Sequence, residues 1–262
     1  MERSISIITV CYNAAHLLAK TIESVIEQTY KNIEYIVVDG NSIDDTNEII
    51  RKYRNDINIY ISEPDTGIYD AMNKGIRMAT GELLIFLNAG DYFISKNALE
   101  FAVAKMNFES ADLFFGRFIW NDPRTQDIVL SDHEWVTYTW DLQESNFPHP
   151  ATFYKKHLFK EIGLFDTTYK LGADYDWNMR ALIKNKIAFQ YMNIATTVFF
   201  ADGRSNNEAM ADVNQQEMQR IFDTHLRPAW IYKLGFKHNA PDRLTKQRYV
   251  SKIFNCRLNR VW

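Results

Sequence analysis

Cysteine is scarce: two residues in 262, Cys11 and Cys256, lie near opposite ends, and Cys11 falls inside an apolar strand pattern. That spacing excludes a disulfide framework and points to a reducing compartment. Long apolar runs are also missing. Stretches such as 83–87 and 198–201 fall far short of the roughly 20 residues a spanning helix needs, so no membrane crossing is expected. The opening residues MERSISIITVCYN show no basic region followed by an apolar stretch and a small-residue cleavage site. No secretion signal is read there, and a cytoplasmic location is expected. Neither G-x-G-x-x-G nor a Walker-type loop occurs, which excludes the phosphate grips of dehydrogenases and P-loop enzymes. Internal repeats and low-complexity segments are absent too.

The chain is 46% hydrophobic, 14% aromatic and 24% charged, a composition that buries a substantial core. Its net charge of −3 conceals an asymmetry. From Arg227 to Trp262 there are nine basic residues against one acid, Asp242, so this tail is strongly basic and the rest acidic. One domain over 1–226 followed by a tail over 227–262 is expected.

Ser4 to Cys11 alternates β-branched and polar residues, and Ile33 to Asp39 is an apolar run ending in a carboxylate. Both read as strands. Between them Leu17, Leu18, Ile22, Val25 and Ile26 form a helical stripe over Ala14 to Gln28, completing a βαβ unit. The pattern continues with a helix over 44–53, a strand over 57–62, a helix over 68–79 and a strand over 83–87. Such a rhythm specifies a mainly parallel sheet covered on both faces, with ligands bound beyond the carboxyl ends of its strands. After Asp91 it weakens: a helix over 97–106, a strand over 113–120, a loop-rich stretch over 123–150, helices over 155–162 and 174–185, and strand-like pieces at 187–191 and 197–201.

Three groups carry candidate chemistry. Thr9, Tyr12 and Asn13 follow the first strand and Asp39 ends the second, so an aromatic face and a carboxylate meet where a nucleobase could stack and donate an N–H. The plainer reading is that Asp39 caps a turn and Tyr12 packs on the core. Second, the strand over 83–87 runs into Asn88-Ala89-Gly90-Asp91, whose acid suits a hard cation or simply the turn. Third, in Gly172-Ala173-Asp174-Tyr175-Asp176, Asp174 falls at a helix N-terminus as general base or N-cap, and Asp176 and Arg180 are spaced to pair.

Taken together, IITVCYNAAHLLAKTIESVIEQTYKNIEYIVVDGNSIDDT, EPDTGIYDAMNKGIRMATGELLIFLNAGD, PHPATFYKKHLFKEIGLFD and GADYDWNMR resemble family 2 glycosyltransferases in that family's order, over about 4–180. The resemblance implies a GT-A fold: a Rossmann-like, mainly parallel mixed α/β sheet flanked by helices. About 1–92 would be the nucleotide-sugar half, about 93–226 the acceptor half, and 227–262 a helical tail. It further implies that Thr9, Tyr12, Asn13 and Asp39 hold the nucleoside while Asp65, Asn73, Lys74 and Asn88 line the donor side. Asn88 to Asp91 occupies the place of the D-x-D motif that holds Mg2+ or Mn2+. Asn88 and Gly90 stand where that motif has acids, leaving Asp91 as its only carboxylate and His149 as a further candidate ligand. Gly40 replaces a second acid common at that position. Asp174 matches the proposed general base, with Ala173 where relatives usually carry Glu.

These correspondences imply an inverting transfer from a UDP- or GDP-sugar to a glycan or polyprenyl-linked acceptor in bacterial surface-polysaccharide assembly. A non-catalytic nucleotide-sugar-binding scaffold is the alternative that the depleted D-x-D motif leaves open. In the tail, Tyr249, Val250, Ile253 and Phe254 recur at helical spacing among Lys246, Arg248, Lys252 and Arg257. This pattern suits either packing on the domain or peripheral attachment to an anionic membrane surface.

Overall fold

The computed structural model describes residues 3–131, 146–201 and 210–226. The first four strands, β1 (Ile5–Cys11), β2 (Ile33–Asp39), β3 (Ile59–Ser62) and β4 (Leu83–Phe86), lie parallel. They are parallel because helices α1 (Ala15–Ile26), α2 (Thr46–Lys52) and α3 (Ile68–Met78) return the chain between them. The stripe expected on α1 is buried through Leu18, Ile22 and Val25.

The chain continues through β5 (Tyr92–Phe93), α4 (Ala98–Lys105), β6 (Leu113–Asp122), β7 (Asp127–Leu130), β8 (Thr152–Lys155), α5 (His157–Glu161), α6 (Ala173–Met179), β9 (Phe189–Phe200) and α7 (Ala211–Ile221). The sheet order is β3-β2-β1-β4-β8-β6-β9-β5, with β7 paired to β6. Strand β8 is antiparallel to both β4 and β6, so β6, and β9 beside it, point the same way as β4. The mainly parallel mixed sheet expected from sequence is therefore present, and the carboxyl ends of β1, β2, β3, β4, β6 and β9 share one edge.

Each face carries its own core. Ile5, Ile7, Val37, Leu83, Ile85 and Phe114 bury against α1, α2 and α4. Ile8, Val38, Leu84, Phe86 and Phe115 bury against α3, α5, α6 and α7. Trp177 of α6 is fully buried, with its ring 4.7 Å from Phe159 and its indole N–H donating to the Gly163 carbonyl at 2.7 Å. Cys11 is buried and unpaired. Among the described residues no helix is long and apolar enough to cross a membrane.

The second half departs from the expected element list. The stretch expected as loop contains β7, while β8 and α7 were not anticipated. The two strand-like pieces near 187–201 are one strand, β9, broken in pattern by Asn193 at φ 50° and by a register shift against β6. The helix over 174–185 starts one residue earlier and ends as a wider π-type turn, Arg180–Lys184. Cys256 and the tail over 227–262 lie outside the described residues.

Candidate active site

The shared carboxyl edge collects the loops after β1, β2, β3 and β4, and the order 3-2-1-4 puts the topological switch at β1 and β4, where open α/β sheets bind ligands. After β1, Tyr12 stands 53% exposed, so it does not pack on the core. Asn13, at φ 50°, accepts the Ile43 N–H at 3.0 Å and donates its own N–H to Ser42 Oγ at 2.8 Å, joining the first two loops. Beside them a Cβ on Gly40 would fall 2.4 Å from an Asp65 oxygen and 3.3 Å from the Tyr12 ring. Glycine at this position therefore lets Asp65, half-buried and accepting the Gly67 N–H at 2.9 Å, approach Tyr12.

Other residues expected on the donor side face inward. Asp39 is fully buried; its oxygens accept the Ser42 N–H and hydroxyl and, at 2.7 Å, the Ser62 hydroxyl. These bonds make it the cap of the loop after β2. Thr9 is likewise fully buried, accepting the Tyr35 hydroxyl at 3.1 Å within the sheet. Asn73 clamps Phe165, donating to its carbonyl at 2.9 Å and accepting its N–H at 3.0 Å, so it joins α3 to the 165 loop rather than lining a pocket. Lys74 donates to the Pro64 carbonyl at 2.7 Å and pairs with Glu63 at 2.9 Å and Asp70 at 3.8 Å. Its charge is thus neutralised inside the loop that carries Asp65.

Past β4, the Asn88–Asp91 turn closes through Asp91 N–H to the Asn88 carbonyl at 2.9 Å and leans on α1 through Gly90 N–H to Thr21 Oγ at 2.9 Å. Asp91 is buried and accepts the Phe200 N–H at 3.0 Å; burial pushes its carboxyl up to about 7. The side-chain oxygen of Asn88 is buried and has no partner among the described residues. His149 takes its contacts from the other core, stacking on Phe86 at 5.1 Å and meeting Phe165 edge-on at 6.2 Å. Burial depresses its pKa against the opposing charge of Asp174, and neither ring nitrogen has a partner among the described residues. Among the described residues no three His, Cys, Asp or Glu side chains gather as a metal site. Asn88 and Asp91 nonetheless suit a hard cation that takes most of its oxygens from a diphosphate, because one neutral oxygen is unclaimed beside one acid.

The opposite wall is built around Asp174. The N-cap of α6 is Gly172, and no side chain caps that helix, so Asp174 is not the cap. Its Oδ1 accepts the Tyr69 hydroxyl at 2.9 Å and its Oδ2 accepts the Asn146 amide at 2.6 Å. Tyr69 lies in the first turn of α3, directly after the β3 loop, which places Asp174 at the carboxyl edge. Burial first, then the Asp174 charge, raises the Tyr69 pKa well above its usual value, so the phenol remains a donor. Asp174 is half-buried. Two donors leave part of a carboxylate's roughly four acceptor sites open. Asp176 pairs with Arg180 at 2.8 Å, as the spacing predicts, and also meets His225 at 2.8 Å. Sequence reasoning missed Tyr69 and Asn146. The first sits inside the quoted EPDTGIYDAMNKG segment, and the second two residues before Pro148.

An α/β sheet with loops gathered at one carboxyl edge and a braced acid facing them has the architecture of GT-A glycosyltransferases. The fold matches that of S. aureus TarS 1-349 in complex with UDP-GlcNAc, with a TM-score of 0.69 and 19% identity, covering 96% of this chain and 72% of that one. It also matches the mannosyltransferase PcManGT from Pyrobaculum calidifontis in complex with GDP-Man and Mn2+, with a TM-score of 0.65 and 20% identity, covering 92% and 66%. The Glycosyl transferase family 2 model matches residues 6–171. The PGL/p-HBAD biosynthesis glycosyltransferase of Mycobacterium tuberculosis is 30% identical over 214 residues, 77% of this chain and 78% of the relative. The chain belongs to glycosyl transferase family 2 and is a glycosyltransferase.

Proposed function

We propose that the enzyme transfers a sugar, with inversion, from a UDP- or GDP-sugar to a hydroxyl of a glycan or polyprenyl-linked acceptor. The observation that carries this reading is Asp174, a carboxylate fixed by Tyr69 and Asn146 at the sheet's carboxyl edge with acceptor capacity to spare. The acceptor oxygen attacks the anomeric carbon while the bond to the diphosphate oxygen breaks on the opposite face. The hydroxyl proton passes to Asp174, and the bonding electrons leave with the nucleoside diphosphate. General-base help of this kind contributes roughly 10²–10⁴-fold.

On the donor side, Tyr12 is the stacking face for the nucleobase and Asp65 the polar group beside it. Complexes of fold relatives with UDP-GlcNAc and with GDP-Man and Mn2+ support a nucleotide-sugar donor and a divalent cation. Asn88 and Asp91 would hold that Mg2+ or Mn2+, which stabilises charge on the leaving diphosphate. Residues 1–226 form the catalytic domain in this reading, with the donor half ending near 92. The tail over 227–262 attaches reversibly to anionic membrane, and the setting is bacterial surface-polysaccharide assembly at the inner face of the plasma membrane. Incubation with UDP-, GDP- and dTDP-sugars and Mn2+ tests the core claim. Release of nucleoside diphosphate from at least one donor is expected, and no release from any member of the panel contradicts it.

A further inference from the structure

Upstream of Asp174, three consecutive backbone amides point at one carboxylate. Glu217 of α7 accepts Lys170 N–H at 2.6 Å on Oε1, and Leu171 and Gly172 N–H, each at 2.9 Å, on Oε2. These amides precede the first helical residue of α6, Ala173, and an amide taken out of water needs an acceptor. That acceptor comes from 45 to 47 residues further along the chain. Helix α7 packs close to this turn: a Cβ on Gly172 would meet the side-chain ends Met218 Cε at 2.9 Å and Ile221 Cδ1 at 3.0 Å. The Tyr69 hydroxyl, with one proton to share, lies within hydrogen-bond reach of both the Leu171 carbonyl and Asp174 Oδ1. One peptide is thus held by Glu217 on its amide side and by the base's own brace on its carbonyl side. A second tie, His225 to Asp176 at 2.8 Å, fixes the chain after α7 to the middle of α6.

We propose that Glu217 is a positioning residue for Asp174: its carboxylate holds the 170–172 turn, and the turn sets where the base stands relative to the acceptor hydroxyl. This rests on the base role given to Asp174 above. Glu217 itself touches no substrate. A general base acts only within hydrogen-bond reach of the proton it takes, and a displacement of about 1 Å can cost on the order of 10²-fold. Removing the carboxylate leaves up to three amides seeking new partners two to four residues before Asp174.

The test is Glu217→Gln, which keeps the side chain's size but supplies one acceptor oxygen instead of two. The expected result is a kcat lower by roughly 10- to 100-fold, with KM for the nucleotide sugar within about two-fold of wild type. UDP or GDP should still bind with full stoichiometry by titration. Made in an Asp174→Asn background, the same change should produce no further loss, because a positioning effect has nothing left to act through. An unchanged kcat overturns the proposal. So does a loss of activity that only tracks a loss of nucleotide-binding capacity, or one that adds in full to that of Asp174→Asn. If Asp174→Asn itself turns over normally, the base assignment fails first, and the two failures are told apart by that one variant.

Discussion

In the donor half, the side chains at the ends of β2 and β3 tie neighbouring loops: Asp39 holds Ser42 three residues on and Ser62 23 residues on, and Asp65 holds Gly67 two residues on. In the acceptor half, Asp174 is braced from 28 and 105 residues away, and the turn before it from 45 to 47 residues away. The loops after β1, β2 and β3 are tied mainly to one another, through Asn13 to Ser42 and Asp39 to Ser62. Remote ties make the geometry of the base depend on α3, α6 and α7 packing together. A change in the donor half should therefore act mainly where it is made, whereas one in the acceptor half should spread.

The largest stability effect is expected at Trp177, the fully buried ring that joins α6 to Phe159 and the Gly163 carbonyl. Trp177→Ala should cost about 3–5 kcal/mol of unfolding free energy by denaturant titration. A loss below about 1 kcal/mol would mean α6 is held by something else.

The donor half supplies a sharper contrast. Asp39→Ala leaves the buried Ser42 N–H and hydroxyl without their acceptor and should destabilise by about 1–3 kcal/mol. Asp65→Ala should stay within about 0.5 kcal/mol of wild type and instead weaken UDP or GDP binding. Titration calorimetry and melting curves on both variants check this. If the two behave alike, the division between a loop cap and a ligand-facing acid is wrong.

A smaller effect concerns pH. Burial alone would raise the Asp176 carboxyl, but the His225 hydrogen bond and the Arg180 charge outweigh it, so its pKa lies below the ordinary value. In that window the unfolded chain binds more protons than the folded one, so stability rises with pH. The contribution is complete above the ordinary carboxylate range and is lost as pH falls through the depressed folded value. Asp176→Asn should flatten the acid limb of a plot of Tm against pH, and an unchanged slope would contradict the assignment.

The legibility of the sequence follows the same division. The run from β1 to β4 was readable because apolar alternation and an amphipathic stripe such as Leu18, Ile22 and Val25 are local signals. The Asp176–Arg180 pair was readable for the same reason, being one helical turn apart. Strand β8, Thr152–Lys155, was hidden because four residues beside a short helix carry too little periodicity, and β9 was read as two pieces because the backbone at Asn193 breaks its alternation. Tyr12 and Asp39 both follow strands, yet one projects to solvent and the other lies in a hydroxyl cage. Residue type at a strand end does not reveal which way the side chain turns. Tyr69, Asn146 and Glu217 were invisible as a set because only the completed fold brings them to one turn.

Asp174→Asn, assayed in parallel for donor binding and for transfer, tests the central claim most directly. If Asp174 is the base, UDP or GDP affinity should match wild type while transfer falls by roughly 10²–10⁴-fold, since the lost group acts on the acceptor hydroxyl and not on the nucleotide. Near-normal transfer by this variant would make Asp174 only a brace between α3 and α6 and would contradict the account.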